Sequence, residues 1–279
     1  MKNLYIVSTP IGNLNDITFR AIETLKKVNL IVCEDTRVSS KLLHHYNILD
    51  KKLISYNNFN ENSKTQYILD LFKDNNDIAL ISDAGTPNIA DPGYLLVNEC
   101  YKNNINVIPI PGVSSPIVAL SASSMPCDKF IFLGFLDKNH NKKYQQLYKF
   151  AQYETTLICF ESPHRLIDTL NVLLEVYGGN HNICIAREMT KKFEEFSIKN
   201  ILEQIDYFSN KEILGEFVLV ISPKIIDNND IIDNTKLDLE IKENINKIQS
   251  TILSKELSKK YGISRQIIYN RILELKTLS

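Results

Sequence analysis

Short apolar runs alternate with amphipathic stretches over the first 115 residues. Five such runs occur, among them residues 4–8, 30–33, 77–80 and 106–110, and their continuous apolar character suits strands covered on both faces. Between them, residues 17–28, 63–72 and 94–101 carry apolar side chains at helical spacing. Regular alternation of this kind predicts a parallel sheet with helices on both faces. From residue 130 the pattern starts again: strands at 130–134, 155–160, 182–186 and 216–221, helices at 142–152, 163–177 and 198–209. The expectation is a second α/β domain, with a helix over 116–123 joining the two.

The sequence divides accordingly into an N-terminal α/β domain (1–115), a C-terminal α/β domain (116–224), a polar linker (225–235) rich in Asn and Asp, and a tail (236–279). In the tail, predicted helices at 251–260 and 265–275 flank Tyr261-Gly262-Ile263-Ser264. Gly262 suits the end of one helix and Ser264 the start of the next, the outline of a helix-turn-helix. Arg265, Gln266, Asn270 and Arg271 then lie on the second helix, where they suit contact with a nucleic-acid backbone; a helical hairpin used for packing or dimerisation fits the same pattern.

An unusual loop follows almost every predicted strand. The longest, Ser82 to Gly93, contains Gly85, Gly93, Pro87, Pro92, Asp83 and Asp91, residue types that fix a backbone shape. Others are Thr9-Pro10-Ile11-Gly12-Asn13, Glu34-Asp35-Thr36-Arg37, Pro111-Gly112-Val113-Ser114-Ser115, Glu161-Ser162-Pro163-His164-Arg165 and Arg187-Glu188-Met189. Open α/β sheets hold their ligands at this end of the strands, so the loops predict a site.

Composition narrows the class. The chain has 279 residues, 44% hydrophobic and 23% charged, enough for two domains with substantial cores. No apolar run approaches the roughly 20 residues of a membrane helix, and no signal-peptide pattern opens the chain, so a cytoplasmic protein is expected. The five cysteines, Cys33, Cys100, Cys127, Cys159 and Cys184, form no C-x-x-C pair and are expected as buried free thiols; no metal site is expected. Net charge is −1, which gives no overall basic signature, yet the tail carries nine basic residues against five acidic. Walker A and G-x-G-x-x-G patterns are absent, against a P-loop hydrolase or an ordinary dinucleotide-binding domain.

The blocks TPIGNLNDIT (9–18) with Arg20, CEDTR (33–37), ISDAGTPNIADPGY (81–94), PIPGVSS (109–115), FIFLGFL (130–136), FESPHRL (160–166), AREMTKKFEE (186–195) and GEFVLVI (215–221) together resemble the bacterial ribosomal RNA small subunit methyltransferase I family. That family belongs to the tetrapyrrole methylase superfamily of S-adenosylmethionine enzymes. The resemblance implies two α/β domains of the tetrapyrrole methylase type with a cleft between them, plus the small helical tail. It also implies a homodimer, S-adenosylmethionine as methyl donor, and 16S ribosomal RNA or the small ribosomal subunit as partner, methylated on the ribose 2′-hydroxyl of a cytidine in the decoding region. Donor contacts carried over are Pro10, Asp83, Ala84, Gly85, Ile89, Ser114 and Ser121, with Phe160, Ala186 and Phe217 from the second domain. For Ser114, capping of the helix that starts there is an equally good reading.

The acceptor side is expected among polar loop residues. Asp35 and His164 are candidate proton acceptors, with Arg165 beside them, and Glu34, Arg37, Arg187, Arg265 and Arg271 are candidate RNA contacts, arginine being suited to phosphate. His164 capping a helix or bonding a carbonyl, and Glu34 and Asp35 paired with Arg37 or Arg187, are structural alternatives. The chain departs from the family pattern at Asn57-Asn58-Phe59-Asn60-Glu61, where a histidine-bearing block is expected, at Ser124-Met125-Pro126, and at Leu214. Rival functions are C-methylation of a tetrapyrrole, a ligand-controlled helix-turn-helix regulator of DNA, and a non-catalytic role in ribosome assembly.

Overall fold

The computed structural model describes residues 2–74, 77–224, 237–245, 247–261 and 265–277. They fall into two compact units, Met1–Lys224 and Ile225–Ser279. The first unit contains two five-stranded sheets.

Sheet one is wholly parallel, in the order β3-β2-β4-β1-β5, from β1 (Asn3–Val7), β2 (Leu30–Cys33), β3 (Lys52–Ser55), β4 (Ile78–Ile81) and β5 (Asn106–Ile110). Its side chains alternate between two cores. Leu4, Ile6, Val32, Ile78 and Leu80 pack on α3 (Glu61–Leu71) and α4 (Tyr94–Lys102), while Tyr5, Val7, Ile31, Ala79 and Ile81 pack on α1 (Phe19–Lys27) and α2 (Thr36–His45). Burial on both faces is why these strands read as unbroken apolar runs. The helices that follow the neighbouring strands β1 and β4 therefore leave to opposite faces, which opens a crevice between the two loops.

Sheet two is mixed, in the order β6-β7-β10-β8-β9. Its strands are β6 (Phe130–Phe135), β7 (Thr156–Glu161), β8 (Asn182–Arg187), β9 (Glu195–Asn200) and β10 (Phe217–Ile221), and only β6 and β7 run parallel. One face packs on α6 (His140–Ala151), α7 (Leu166–Tyr177) and α8 (Ile201–Ser209). The other face, carrying Ile158, Cys184, Ala186 and Val218, packs on α5 (Ser115–Ala122) and receives Ile11 from the first loop of the chain. That contact sets the two sheets against each other.

Three expectations are corrected. The helix expected at 198–209 starts only at Ile201, where Asn200 and Glu203 form a reciprocal capping box; residues 195–200 are instead an edge strand paired with β8. Ile198, Ile201, Leu202 and Ile205 have helical spacing, but Ile198 lies on the exposed side of that strand. The helix expected from residue 163 is a single 3-10 turn, Pro163–Arg165, before α7. All five cysteines are free and four are buried; Cys127, contrary to expectation, is exposed.

In the second unit, residues 237–244 (α9), Ser250–Tyr261 (α10) and Arg265–Thr277 (α11) share a core of Leu237, Ile241, Leu253, Leu257, Ile268 and Ile272. The sequence reading passed over α9. The expected linker and the turn residues Gly262 and Ser264 lie outside the described residues. Among the described residues no helix is long and apolar enough to cross a membrane.

Candidate active site

The loops at the carboxyl end of sheet one are stitched together. Thr9 and Gly85 exchange both backbone hydrogen bonds, at 2.8 and 3.0 Å. The Ser8 and Thr86 hydroxyls meet at 2.9 Å, Thr86 Oγ1 donates to the Val113 carbonyl at 2.9 Å, and Thr9 Oγ1 donates to the Ser82 carbonyl at 3.1 Å. Asp83 Oδ1 accepts the Asp35 amide at 3.1 Å, which ties in the loop after β2. Within the long loop Gly85 and Gly93 have φ of +83° and +143°, and Asn88 and Ala90 are also left-handed, at +72° and +67°. Left-handed non-glycine residues are costly and persist where the surroundings over-determine them.

These loops form one wall of a cavity of about 340 Å³ whose other wall is sheet two. Of the donor contacts the resemblance implies, Ala84, Gly85, Ile89 and Ser114 line it from the first side and Phe160 and Phe217 from the second. Ile11, Met189 and Val218 complete the apolar surface, and Asp91 and Glu216 add carboxylates. Four predicted donor contacts lie outside this wall. Pro10 is buried, leaving its neighbour Ile11 to face the cavity. Asp83 turns to the Asp35 amide. Ala186 is fully buried behind β10, paired with Val218, and Ser121 is exposed and donates to the Val118 carbonyl of its own helix. Ser114 occupies the N-cap of α5 but accepts no hydrogen bond there, so its hydroxyl is left to the cavity.

The polar candidates separate by environment. Asp35 caps α2 and receives the Arg37 amide, Nε and Nη2, at 2.8, 3.0 and 2.6 Å. Hydrogen bonds from the Arg37 side chain and backbone hold its carboxyl down to about 2, which makes it a feeble base. His164 is exposed on its 3-10 turn, makes no hydrogen bond to the described residues, and neither caps α7 nor bonds a carbonyl. Its neighbours Ser162 and Pro163 line the cavity. Arg165, expected to be catalytic, is instead clamped to Glu161 at 2.6 Å and to the Leu136 carbonyl at 3.2 Å. Arg187 donates to the Leu214 carbonyl at 2.7 Å and pairs with Glu195.

Sequence reading missed Asp91 because a carboxylate before Pro-Gly looks like turn chemistry. It lies in the cavity wall, and burial, reinforced by the carboxylates of Glu34 and Asp83, pushes it up to about 6. Glu34 and Asp83 are themselves raised, mainly by burial. The carboxyl edge of β2 and β4 is thus a partly buried, strongly negative surface.

Comparison with known proteins decides the family. Residues 3–206 match the Tetrapyrrole (Corrin/Porphyrin) Methylases family. The chain is 45% identical over 260 residues to ribosomal RNA small subunit methyltransferase I of Rickettsia prowazekii, covering 93% of this chain and 88% of the relative. It is 40% identical over 277 residues to the protein of the same name from Synechocystis, covering 99% of each. The chain belongs to the ribosomal RNA small subunit methyltransferase I family. Among solved structures, diphthine synthase superposes with a TM-score of 0.65 at 10% identity, covering 83% of this chain and 94% of that one. Uroporphyrin-III-C-methyltransferase from Thermus thermophilus gives 0.56 at 15%, covering 79% and 94%. At those identities the likeness is one of fold.

In this ribosomal RNA small subunit methyltransferase I family member, the cavity wall from sheet two is braced by a buried ionic chain. Lys143, wholly buried, donates to Asp168 at 2.6 Å and to the Thr169 hydroxyl at 2.8 Å; Thr169 in turn donates to Glu161. Glu161 Oε1 also accepts the Ser162 amide at 2.7 Å and Arg165 Nε at 2.8 Å. With Arg165 Nη2 at 2.6 Å, Oε1 takes three donors and Oε2 one, which holds Glu161 in place behind the cavity wall. In the tail, Arg271 pairs with Asp238 at 2.5 Å and Glu274 at 2.9 Å, and Arg265 donates to the Thr251 carbonyl at 3.1 Å. Both guanidinium groups, expected to reach RNA, hold their own unit together.

Proposed function

We propose that this methyltransferase transfers a methyl group from S-adenosylmethionine to the ribose 2′-hydroxyl of a cytidine in the decoding region of small-subunit ribosomal RNA. The observation that carries the reading is the loop-walled cavity, present in a chain aligned nearly end to end with relatives named for that RNA. A cytoplasmic homodimer acting on the small ribosomal subunit belongs to the same reading.

The donor fits the residues present. A cavity of about 340 Å³ is at the small end of ligand sites, which run from about 300 to 1,000 Å³. Ile11, Phe160, Met189 and Phe217 offer an apolar bed for a base, while the main chain at Ala84 and Gly85 and the Ser114 hydroxyl offer polar contacts. The negative edge formed by Glu34, Asp83 and Asp91 favours a cationic ligand. When bound, S-adenosylmethionine supplies a methyl group on positively charged sulfur, so the acceptor oxygen has to lose its proton as it takes the methyl. Asp91 accepts that proton: it lines the cavity and burial pushes its carboxyl up to about 6, whereas Asp35 is saturated by Arg37.

Gly93→Ala tests the loop. Its φ of +143° is open to glycine alone, and a Cβ there would stand 1.8 Å from Asn88 Oδ1. The loop carrying Ala84 to Asp91 has to shift, and donor affinity measured by calorimetry is expected to fall by roughly 10-fold or more, from about 1–3 kcal/mol of strain. The function itself is tested with purified protein, labelled S-adenosylmethionine and unmodified small subunits, the label being mapped by nuclease digestion and mass spectrometry. Label on a cytidine ribose of the decoding region is expected. Donor binding without label on RNA would overturn the substrate assignment.

A further inference from the structure

The loop after β3 holds up a phenyl ring that the fold does not use. Phe59 is fully exposed, at 101%, on a turn built from asparagine side chains. Asn57 Oδ1 accepts the Phe59 amide at 3.1 Å, Asn60 Oδ1 accepts the Asn57 amide at 2.9 Å, and Asn60 Nδ2 donates to the Ser55 carbonyl at 3.3 Å. Such Asx turns fix the backbone locally. The turn is also tied toward the cavity: Ser55 Oγ donates to the Glu34 carbonyl at 3.2 Å, Tyr56 N donates to the Cys33 carbonyl at 2.8 Å, and Asp35 N reaches Asp83 at 3.1 Å. A ring that buries nothing is thus presented on a fixed stem.

The sheet order β3-β2-β4 puts this loop two strands from the cavity loop. At about 4.8 Å per strand the separation is roughly 10 Å, the reach of a nucleotide next to one held in the cavity. Between the two stands Arg37, 86% exposed yet oriented by its paired contacts to Asp35. An exposed aromatic beside an oriented guanidinium matches single-stranded RNA, whose splayed bases stack on aromatic faces while arginine positions the phosphates.

We propose that Phe59 is a stacking platform for an unpaired base flanking the methylated nucleotide, with Arg37 on the adjoining phosphate. The inference rests on RNA being the substrate, as proposed above. It adds a binding site on the β2–β3 edge, outside the donor cavity.

The test is steady-state methylation of a protein-free RNA fragment spanning the decoding region and, in parallel, of intact subunits. Phe59→Ala is expected to raise KM for the RNA fragment by roughly 5- to 100-fold, the range for loss of one base–aromatic stack. Its kcat, donor affinity and melting temperature should match the parent. Phe59→Trp should restore KM and Phe59→Leu should not, because leucine is apolar but has no π face. Arg37→Gln should reduce the salt dependence of RNA binding by about one unit of slope. An unchanged KM for Phe59→Ala, or rescue by leucine, overturns stacking. A defect confined to intact subunits also overturns it, since the ring would then dock on protein. If the parent enzyme transfers no methyl to either RNA, the substrate assignment fails and the platform with it, an outcome distinct from parental activity with an indifferent Phe59.

Discussion

Asp91→Asn is expected to lower kcat for methyl transfer by roughly 100- to 10,000-fold, the usual contribution of a general base, with a much smaller loss of donor affinity from removing one carboxylate of the negative edge. The parent's rate should rise with pH through the Asp91 transition at about 6 and then level off, because only the carboxylate accepts a proton. The variant should show no such limb. Stability moves the opposite way. The folded Asp91 carboxyl binds its proton more tightly than the unfolded one, so its stabilising contribution is complete below about pH 4 and is lost as pH rises through about 6. The asparagine variant should therefore melt higher than the parent above pH 6 and alongside it below pH 4. Loss of rate with gain of stability is hard to obtain from a merely structural residue. Asp35→Ala in the same assay removes a helix cap and frees Arg37, with a modest loss of stability, and should spare most of kcat. A collapse confined to Asp35→Ala would return the base to the loop after β2, and a parental kcat in both variants would leave His164, on the loop after β7, as the candidate.

The second large effect is expected at Lys143. Lys143→Met keeps an unbranched side chain one atom shorter but removes a wholly buried ammonium from Asp168 and Thr169. Breaking a buried pair from one side typically costs 3–5 kcal/mol, and the lower end, about 3 kcal/mol, applies here. The reason is that the Asp168 side chain is half exposed and regains water. At 2–4 °C per kcal/mol for a domain of this size, the melting temperature should drop by roughly 6–12 °C in calorimetry. Asp168→Asn leaves the wholly buried Lys143 ammonium without its counter-ion and should lose at least as much. A far smaller loss from Asp168→Asn would mean that Thr169 and, behind it, Glu161 hold the ammonium without Asp168. Because Glu161 holds the Ser162 amide, Lys143→Met should also loosen the Ser162–Pro163 side of the cavity, read as weaker donor binding at temperatures where the variant is folded.

Residue pattern alone marked out β1, β2, β4 and β5 of sheet one and the loops after them, and its motifs pointed to the family. A strand buried on both faces has to be apolar at successive positions, so β1, β2, β4 and β5 stand out without any partner being known, and Gly85, Ala84, Ile89 and Ser114 followed as the loop residues at their ends. Tertiary structure decided what depends on neighbours distant in the chain. Ile198 has helical spacing yet sits in an edge strand, because β8 supplied a partner and Asn200 a later cap. Lys143 looks like one more solvated lysine of an amphipathic helix until α7 brings Asp168 and Thr169 over it. Asp35, Arg165 and Arg271 carry the residue types that catalysis and RNA contact need, but each is engaged by a partner, and a sequence pattern records residue type rather than which charges already face one another. Asp91 was hidden for the complementary reason. Its proton affinity comes from burial against Glu34, 57 residues upstream, and the field from an approach of that kind exists only once β2 and β4 lie side by side.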